Sequence, residues 1–240
     1  MNPFDFPPIA AVLSAAESAL LALGGVVTAA GAIVIVTLAV RALLIPVGVS
    51  MAKAAQGRRR IAPRLAELQK RYKKNPEKLQ KETMALYAAE KVSPFAGCLP
   101  MLAQLPVVSL VYALFAYPTI AGQPNQLLDA SLFGAGLGRH LLDAASGFQP
   151  SDLVFPALLI VLGVVAWLNR RMALRDAPPM TDAAAAVPGA ALLNPRGPLS
   201  WMSFAVLIAA AVVPLAATLY LAVSGVWSYL ERRILRARYA

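Results

Sequence analysis

The stretch Val26–Val49, which reads VVTAAGAIVIVTLAVRALLIPVGV, decides the fold class of this chain. Arg41 is its only charged residue, and a helix that crosses a bilayer needs about 20 mostly apolar residues. Outward from it lie three further apolar stretches: Phe95–Tyr117 without a charge, Phe148–Leu168 with Asp152 near its start, and Leu199–Leu230 without a charge. These stretches predict a protein that crosses a membrane several times.

The composition points to the same class. Of the 240 residues, 59% are hydrophobic and 14% are charged, whereas soluble proteins average roughly 45–50% and about 25%. An ordinary soluble domain, a disordered chain and a collagen-like chain are therefore excluded. Cys98 and His140 are the single cysteine and the single histidine, so we expect no internal disulfide, no metal site and no cofactor.

The basic residues predict the orientation, because cytoplasmic loops carry an excess of Lys and Arg. Residues 51–93 contain 12 Lys and Arg residues and four Glu, whereas Arg139 is the single Lys or Arg residue in 118–150. Residues 169–198 and the segment after 231 are again rich in arginine. Both flanks of Leu199–Leu230 should thus be inside, which requires an even number of crossings between them. We therefore expect Leu199–Leu230 to be a hairpin of two short helices with its turn near Pro214. The alternative is one long tilted helix kinked at Pro214, with the last arginines outside.

The predicted fold is an all-α polytopic membrane protein with five transmembrane helices, a cytoplasmic two-helix hairpin and an N-terminal interfacial helix. We expect it in the bacterial cell membrane, with the N-terminus outside and the C-terminus in the cytoplasm. The segments are an outer interfacial helix (1–23), spans at 24–50, 94–118, 148–169, 199–213 and 214–231, the cytoplasmic hairpin (51–93), an outer loop (119–147), a cytoplasmic loop (170–198) and a basic tail (232–240).

The cytoplasmic block consists of good helix formers divided at Asn75-Pro76, where Asn suits the N-cap and Pro the first helical position. One interpretation is a solvated hairpin held near anionic lipid headgroups. The other is a docking surface for an acidic partner or a passing polypeptide. The candidate surface residues share a positive charge; they are Arg58, Arg59, Arg60, Lys70, Arg71, Lys73 and Lys74. Specific nucleic-acid binding is not expected, since few aromatic residues interleave with these charges.

Arg41 is the candidate functional residue, because an arginine at a helix centre costs about 2.5–3.5 kcal/mol on insertion scales. One interpretation is that its long stem lets the charge reach the inner headgroups. The other is a hydrated cavity open to the cytoplasm. Thr37, one turn earlier on the same face, and Gln104 in the second predicted span favour the cavity. Hydroxyl groups at Ser109, Thr218, Tyr220 and Ser224 add polar character to the predicted spans.

Four motifs, in order along the chain, resemble the YidC-type membrane protein insertases of the Oxa superfamily. They are TLAVRALLIP (37–46), PRLAELQKRY (63–72) followed by NPEKLQKETMALY (75–87), PFAGCLPMLAQLP (94–106) and the weaker PLAATLY (214–220). The third motif is the most specific.

The resemblance implies a protein that is not an enzyme and moves hydrophobic segments of nascent membrane proteins into the bilayer without nucleotide hydrolysis. It implies a positively charged groove, open to the cytoplasm, with Arg41 as its cation and Thr37, Gln104 and Tyr220 along the substrate path. Implied partners are nascent membrane proteins and the Sec translocon, the ribosome or targeting factors, while anionic lipids are expected from the charge of residues 51–93.

A rival interpretation is a small anion transporter or channel that uses Arg41 as a selectivity charge. Such transporters usually contain internal repeats with helices broken at matching positions. The chain has no internal repeat that we can detect. Replacing Arg41 by Ala or by Lys should separate the two interpretations, because a bidentate anion site does not accept Lys in place of Arg.

Overall fold

The computed structural model describes residues 7–73, 75–90, 92, 109–110, 113–115, 117, 119–120, 122–176 and 197–239. Its α-helices are α1 (Pro7–Gly24), α2 (Ala29–Leu43), α3 (Ile45–Arg71), α4 (Pro76–Ala89), α5 (Leu141–Ser146), α6 (Val154–Asp176), α7 (Ala205–Val212) and α8 (Leu215–Tyr239). Its strands are β1 (Thr119–Ile120), β2 (Gln123–Pro124), β3 (Ser131–Leu132) and β4 (Ala135–Gly136), and 3₁₀ turns cover Gln126–Asp129, Pro150–Leu153 and Pro198–Phe204. The described chain is thus mostly helical, as predicted, and its strands form only two-stranded antiparallel pairs.

Contacts within the chain divide it into two units. The first unit comprises Met1–Leu43, Ala103–Trp167 and Phe204–Ser228, and the second comprises Leu44–Leu102, Leu168–Ser203 and Tyr229–Ala240. The first unit contains most of the apolar core, and the second contains most of the basic residues. Helices α6 and α8 each begin in the first unit and end in the second.

The core of the first unit is built by α1, α2, the start of α8 and buried residues between 113 and 137, among them Phe115. Helix α1 packs against α2, and the two axes differ by 117° across the break between them. Leu13 and Leu20 of α1 join Ile33 of α2 and Leu219 of α8 in one buried cluster. Where such a cluster lies within a bilayer, close van der Waals packing stabilises it, because lipid tails are as apolar as the side chains themselves.

One described helical stretch, Pro150–Arg175, is long and apolar enough to cross a membrane by itself. The bent pair Ala10–Gly24 and Ala29–Leu43 passes the same test only when the two helices are taken together. Most of the predicted second span, 94–118, lies outside the described residues. The count of five spans therefore stays a prediction.

The predicted outer loop contains short regular elements. Strands β1 and β2 form one hairpin, β3 and β4 form another, and α5 follows. Asn125 is buried between them: its Nδ2 donates to the carbonyls of Leu114 (2.6 Å) and Tyr117 (2.9 Å), and its Oδ1 accepts from the N–H of Leu127 (3.0 Å). One buried amide side chain thus pairs with three backbone groups and ties the segment after β2 to Leu114 and Tyr117.

The helix boundary near the predicted first span differs from the prediction. We expected the span to run to residue 50, but α2 ends at Leu43 and α3 starts at Ile45, with Pro46 in its first turn. The position of Pro46 favours this boundary, because proline lacks an N–H and is best accommodated in the first turn of a helix, although α3 also contains Pro63 in its interior. Residues 45–50 therefore belong to the helix that continues into the basic segment.

In the second unit, α3 and α4 pack against each other. Asn75 caps α4 as the sequence predicted: its Oδ1 accepts from the N–H of Lys78 at 3.0 Å, and Pro76 occupies the first turn. Arg64 of α3 forms an ion pair with Glu90, just after α4. That this helix pair faces the cytoplasm stays a prediction.

The last apolar stretch is interrupted at Val213 and Pro214, between α7 and α8. Helix α8 continues to Tyr239 without a break, so residues 232–239, which we expected as a separate tail, are helical. These residues contain no Gly or Pro and include four arginines, which are good helix formers.

Candidate functional site

The polar face of α2 is formed by Thr37 and Arg41, one turn apart. Thr37 is buried, and its Oγ1 donates to the carbonyl of Ile33 at 2.6 Å. This bond to the preceding turn uses the only hydroxyl proton of Thr37 and leaves the oxygen as an acceptor. The structure therefore places Thr37 in the packed part of the helix, one turn below the charge.

Arg41 lies in the last turn of α2 and is half-buried. Its Nη2 donates a hydrogen bond to Oγ of Ser224 in α8. A cation in the last turn is favourable, because the unsatisfied carbonyls there carry a partial negative charge. The guanidinium is permanently charged and has five N–H donors in a fixed plane, so Arg41 brings a strong donor group for carboxylate or carbonyl oxygens to this position.

Tyr220 and Ser224 lie one turn apart on α8, as Thr37 and Arg41 do on α2. Both residues are buried, and Tyr220 belongs to the same apolar cluster as Ile33. The structure thus brings three predicted site residues, Thr37, Arg41 and Tyr220, to the part of the first unit where α2 and α8 approach each other. Gln104, the fourth, lies outside the described residues.

Ser224 is a residue that the predicted site did not include. The sequence identified it only as one of several hydroxyl groups in the predicted spans. Its spacing of four residues from Tyr220, which places both on one face of a helix, was a usable signal. The pairing with Arg41 was not predictable, since 183 positions separate the two residues.

The start of α8 is held by the predicted outer loop. The N–H of Leu215 donates to the carbonyl of Arg139 (2.8 Å), and the N–H of Ala216 donates to the carbonyl of Leu137 (3.0 Å). The first N–H groups of a helix have no partner within the helix, and Leu215 and Ala216 are fully buried. The loop carbonyls supply those partners, so they fix the position from which Tyr220 and Ser224 project.

The same loop is anchored by an ion pair. Nη2 of Arg139 lies 3.2 Å from Oδ2 of Asp152, and the Asp152 side chain is only 1% exposed. Asp152 Oδ2 also accepts from the N–H of Gln149 at 2.9 Å. Among the described residues, Oδ1 of Asp152 has no hydrogen-bond partner. Arg139 therefore contributes its side chain to this pair and its carbonyl to α8.

The predicted docking surface is exposed on the described part of the second unit. Arg59, Arg60, Lys70, Arg71 and Lys73 are exposed on or directly after α3. Arg58 is in α3, but its side chain is outside the described set, as is the whole of Lys74.

The end of α8 adds charge to this surface. Burial lowers the pKa of Arg236, and repulsion from the charge of Arg59 lowers it further. These two arginines therefore lie near each other, although the sequence had assigned them to separate segments. Among the described residues, no group of three or more His, Cys, Asp or Glu side chains is placed to hold a metal ion.

Comparison with known proteins identifies similar sequences. The model of the 60Kd inner membrane protein family matches residues 23–240. A segment of 83 residues is 43% identical to a membrane protein insertase YidC of Clostridium perfringens, covering 35% of each chain. A segment of 95 residues is 43% identical to the YidC of Oceanobacillus iheyensis, covering 38% of each chain.

A third relative is longer. A segment of 94 residues is 39% identical to the YidC of Burkholderia multivorans, covering 39% of this chain and 17% of that protein. The matched segments thus span less than two fifths of the length of these three relatives.

Proposed function

Because this chain belongs to the 60Kd inner membrane protein family, that of the YidC/Oxa1 insertases, we propose that it moves hydrophobic segments of nascent membrane proteins into the lipid bilayer. The observation that carries the proposal is the half-buried Arg41, held by Ser224 where α2 and α8 approach each other. A charge in a predicted span is costly, so such residues usually face a bundle interior or a water-filled cavity and mark a functional site.

In the proposed mechanism, Arg41 is the cation of a hydrated groove that opens to the cytoplasm and to lipid. It attracts the acidic or carbonyl-rich region that flanks a substrate's apolar segment. Water in the groove shortens the apolar barrier which this polar region must cross. Apolar walls then release the substrate helix to lipid, which yields about 0.8 kcal/mol for each CH₂ group buried. This burial supplies the free energy, so no nucleotide is hydrolysed.

The neighbouring residues take supporting roles in this proposal. Ser224 orients the guanidinium, and Thr37 and Tyr220 lie along the proposed substrate path, one turn before Arg41 on α2 and one turn before Ser224 on α8. The fixed arrangement matters because a side chain as flexible as arginine otherwise samples many rotamers. Gln104 completes the polar lining by its match to the family motif.

The proposed setting is a bacterial cell membrane, crossed five times, with the N-terminus outside and the C-terminus in the cytoplasm. The exposed basic surface on α3, joined by Arg236 of α8, supports this orientation because cytoplasmic segments are enriched in Lys and Arg. We propose that this surface meets anionic lipids and an acidic partner such as the Sec translocon, the ribosome or a targeting factor.

Insertion into liposomes tests the proposal. The purified protein is reconstituted, a single-span substrate is made by cell-free synthesis, and protease protection of its translocated region is scored. We expect protection well above that of empty liposomes. Protection equal to that of empty liposomes, both with and without an added Sec translocon, would contradict the proposed function.

A further inference from the structure

Phe133 and Gly134 form the two-residue turn between β3 and β4. Leu132 pairs with Ala135 across the turn, and φ is 51° at Phe133 and 87° at Gly134. Positive φ at both central positions defines a type I′ turn, which normally contains Asn-Gly or Gly-Gly. Gly134 suits this backbone, whereas a bulky residue such as Phe133 rarely adopts it.

The side chain of Phe133 does not compensate for its backbone by burial, since it is 86% exposed. A large aromatic residue at the exposed tip of a strained turn contributes nothing to the described core. Residues held in such conformations occur mostly where they serve binding or switching. Phe133 is therefore a candidate for contact with something outside the chain.

The turn lies beside the start of the long apolar helix. A Cβ atom at Gly134 would lie 3.5 Å from Cβ of Ser151, which belongs to the 3₁₀ turn that leads into α6. Two further exposed apolar side chains flank Ser151 in the sequence, Phe148 (67%) and Leu153 (61%).

The exposed apolar surface continues along α6, which supplies most of the stretch able to cross a membrane. Ile160, Val161 and Val164 of this helix are exposed. On a helix that crosses the bilayer, such residues face lipid. Phe133, Phe148 and Leu153 therefore lie near the start of a helix that lipid would surround, and aromatic residues are enriched at the depth where such a helix enters the bilayer.

We propose that Phe133, Phe148 and Leu153 form an outer apolar patch that inserts into the headgroup region of the outer leaflet. The inference rests on the proposed topology, in which residues 119–147 are outside. Through Arg139 and Leu137, the anchored loop also holds the first N–H groups of α8. The patch thus sets the depth at which α8 begins.

Spin-label accessibility tests the proposal in vesicles of phosphatidylcholine and phosphatidylglycerol. In a Cys98→Ser chain, labels are placed by Phe133→Cys and, as the matched control, by Gln123→Cys in the exposed β2 of the other hairpin. We expect the label at 133 to show a several-fold higher ratio of collisions with dissolved oxygen to collisions with an aqueous nickel chelate than the label at 123. Equal ratios at the two positions would overturn the proposal.

A second variant keeps the turn intact. Asn accepts positive φ, so Phe133→Asn should fold while removing the apolar ring. We expect a label placed by Phe148→Cys to gain nickel collisions when Phe133→Asn is added. An unchanged ratio at 148 would contradict a shared patch.

The proposed side of the membrane and the proposed activity are checked separately. A membrane-impermeant maleimide should label Gln123→Cys from outside intact cells, and labelling only from the cytoplasmic side would overturn the outer-leaflet assignment. The depth measurement uses no substrate. A chain that fails to insert substrates but buries the label at 133 in lipid would therefore refute the proposed function alone.

Discussion

Arg41, at the end of α2, donates a hydrogen bond from Nη2 to the hydroxyl of Ser224, which lies one turn after Tyr220 on α8. The bond joins a charged donor to a buried neutral acceptor. Hydrogen bonds that involve a charged group contribute about 1.5–3 kcal/mol. The relationship makes Ser224 a positioning residue for the charge.

Ser224→Ala should lower insertion in liposomes by about three- to tenfold, less than Arg41→Ala does, because the guanidinium loses the hydrogen bond that orients it while its charge remains. Ser224→Thr keeps the hydroxyl and is the matched control, with activity near that of the unmodified chain. Adding Ser224→Ala to Arg41→Ala should cause no further loss, since the interaction is already absent. Additive losses would show that Ser224 acts independently of Arg41.

Arg139→Ala should lower the temperature of unfolding in detergent more than Asp152→Asn does. Removing Arg139 leaves a carboxylate with 1% exposure without its ion pair, and breaking a buried pair costs about 3–5 kcal/mol. Asp152→Asn removes the charge together with the pair. Arg64→Ala, which breaks the exposed pair with Glu90, is the control and should change stability by about 0–1 kcal/mol. An equal effect of Arg139→Ala and Arg64→Ala would refute a structural role for the buried pair.

Asn75→Ala should destabilise the start of α4 by about 1 kcal/mol, because the N–H of Lys78 loses its acceptor. Hydrogen exchange at that amide is the direct measurement and should become faster. Asn75→Asp, which keeps a capping oxygen, should preserve the protection. Fast exchange in the unmodified chain would show that the cap does not form.

The N-terminus of α5 should respond to acid. The hydrogen bond from the backbone N–H of His140 is the largest cause that lowers the pKa of Asp143 below its ordinary value of 3.8. Because the folded pKa is depressed, this contribution is complete above pH 3.8 and is lost as the pH falls through the lower folded value. Exchange of the His140 amide should thus lose protection only below pH 3.8. Loss of protection near pH 5 would contradict the assignment.

Local features were predictable from the sequence because they depend on neighbouring residues. The cap at Asn75-Pro76 follows from turn chemistry, and the placement of Thr37 and Arg41 on one face follows from helical periodicity. The positive charge of the segment that contains Arg59 was also predictable, because it follows directly from the residue types.

The contacts between distant segments were not predictable. The bond from Arg41 to Ser224, the pair between Arg139 and Asp152, and the loop carbonyls that hold Leu215 depend on packing that periodicity does not encode. The strained turn at Phe133 was also missed, because Phe-Gly is not a usual signal for a type I′ turn.

Insertion by liposomes that contain Arg41→Ala or Arg41→Lys, at matched protein amounts, tests the central claim most directly. The measurement is protease protection of a single-span substrate whose translocated region is acidic. A groove that needs a positive charge predicts a loss of tenfold or more for Arg41→Ala, about 1.4 kcal/mol, and activity close to that of the unmodified chain for Arg41→Lys. Unchanged insertion by Arg41→Ala, or equal loss in both variants as expected of a bidentate anion site, would contradict the account.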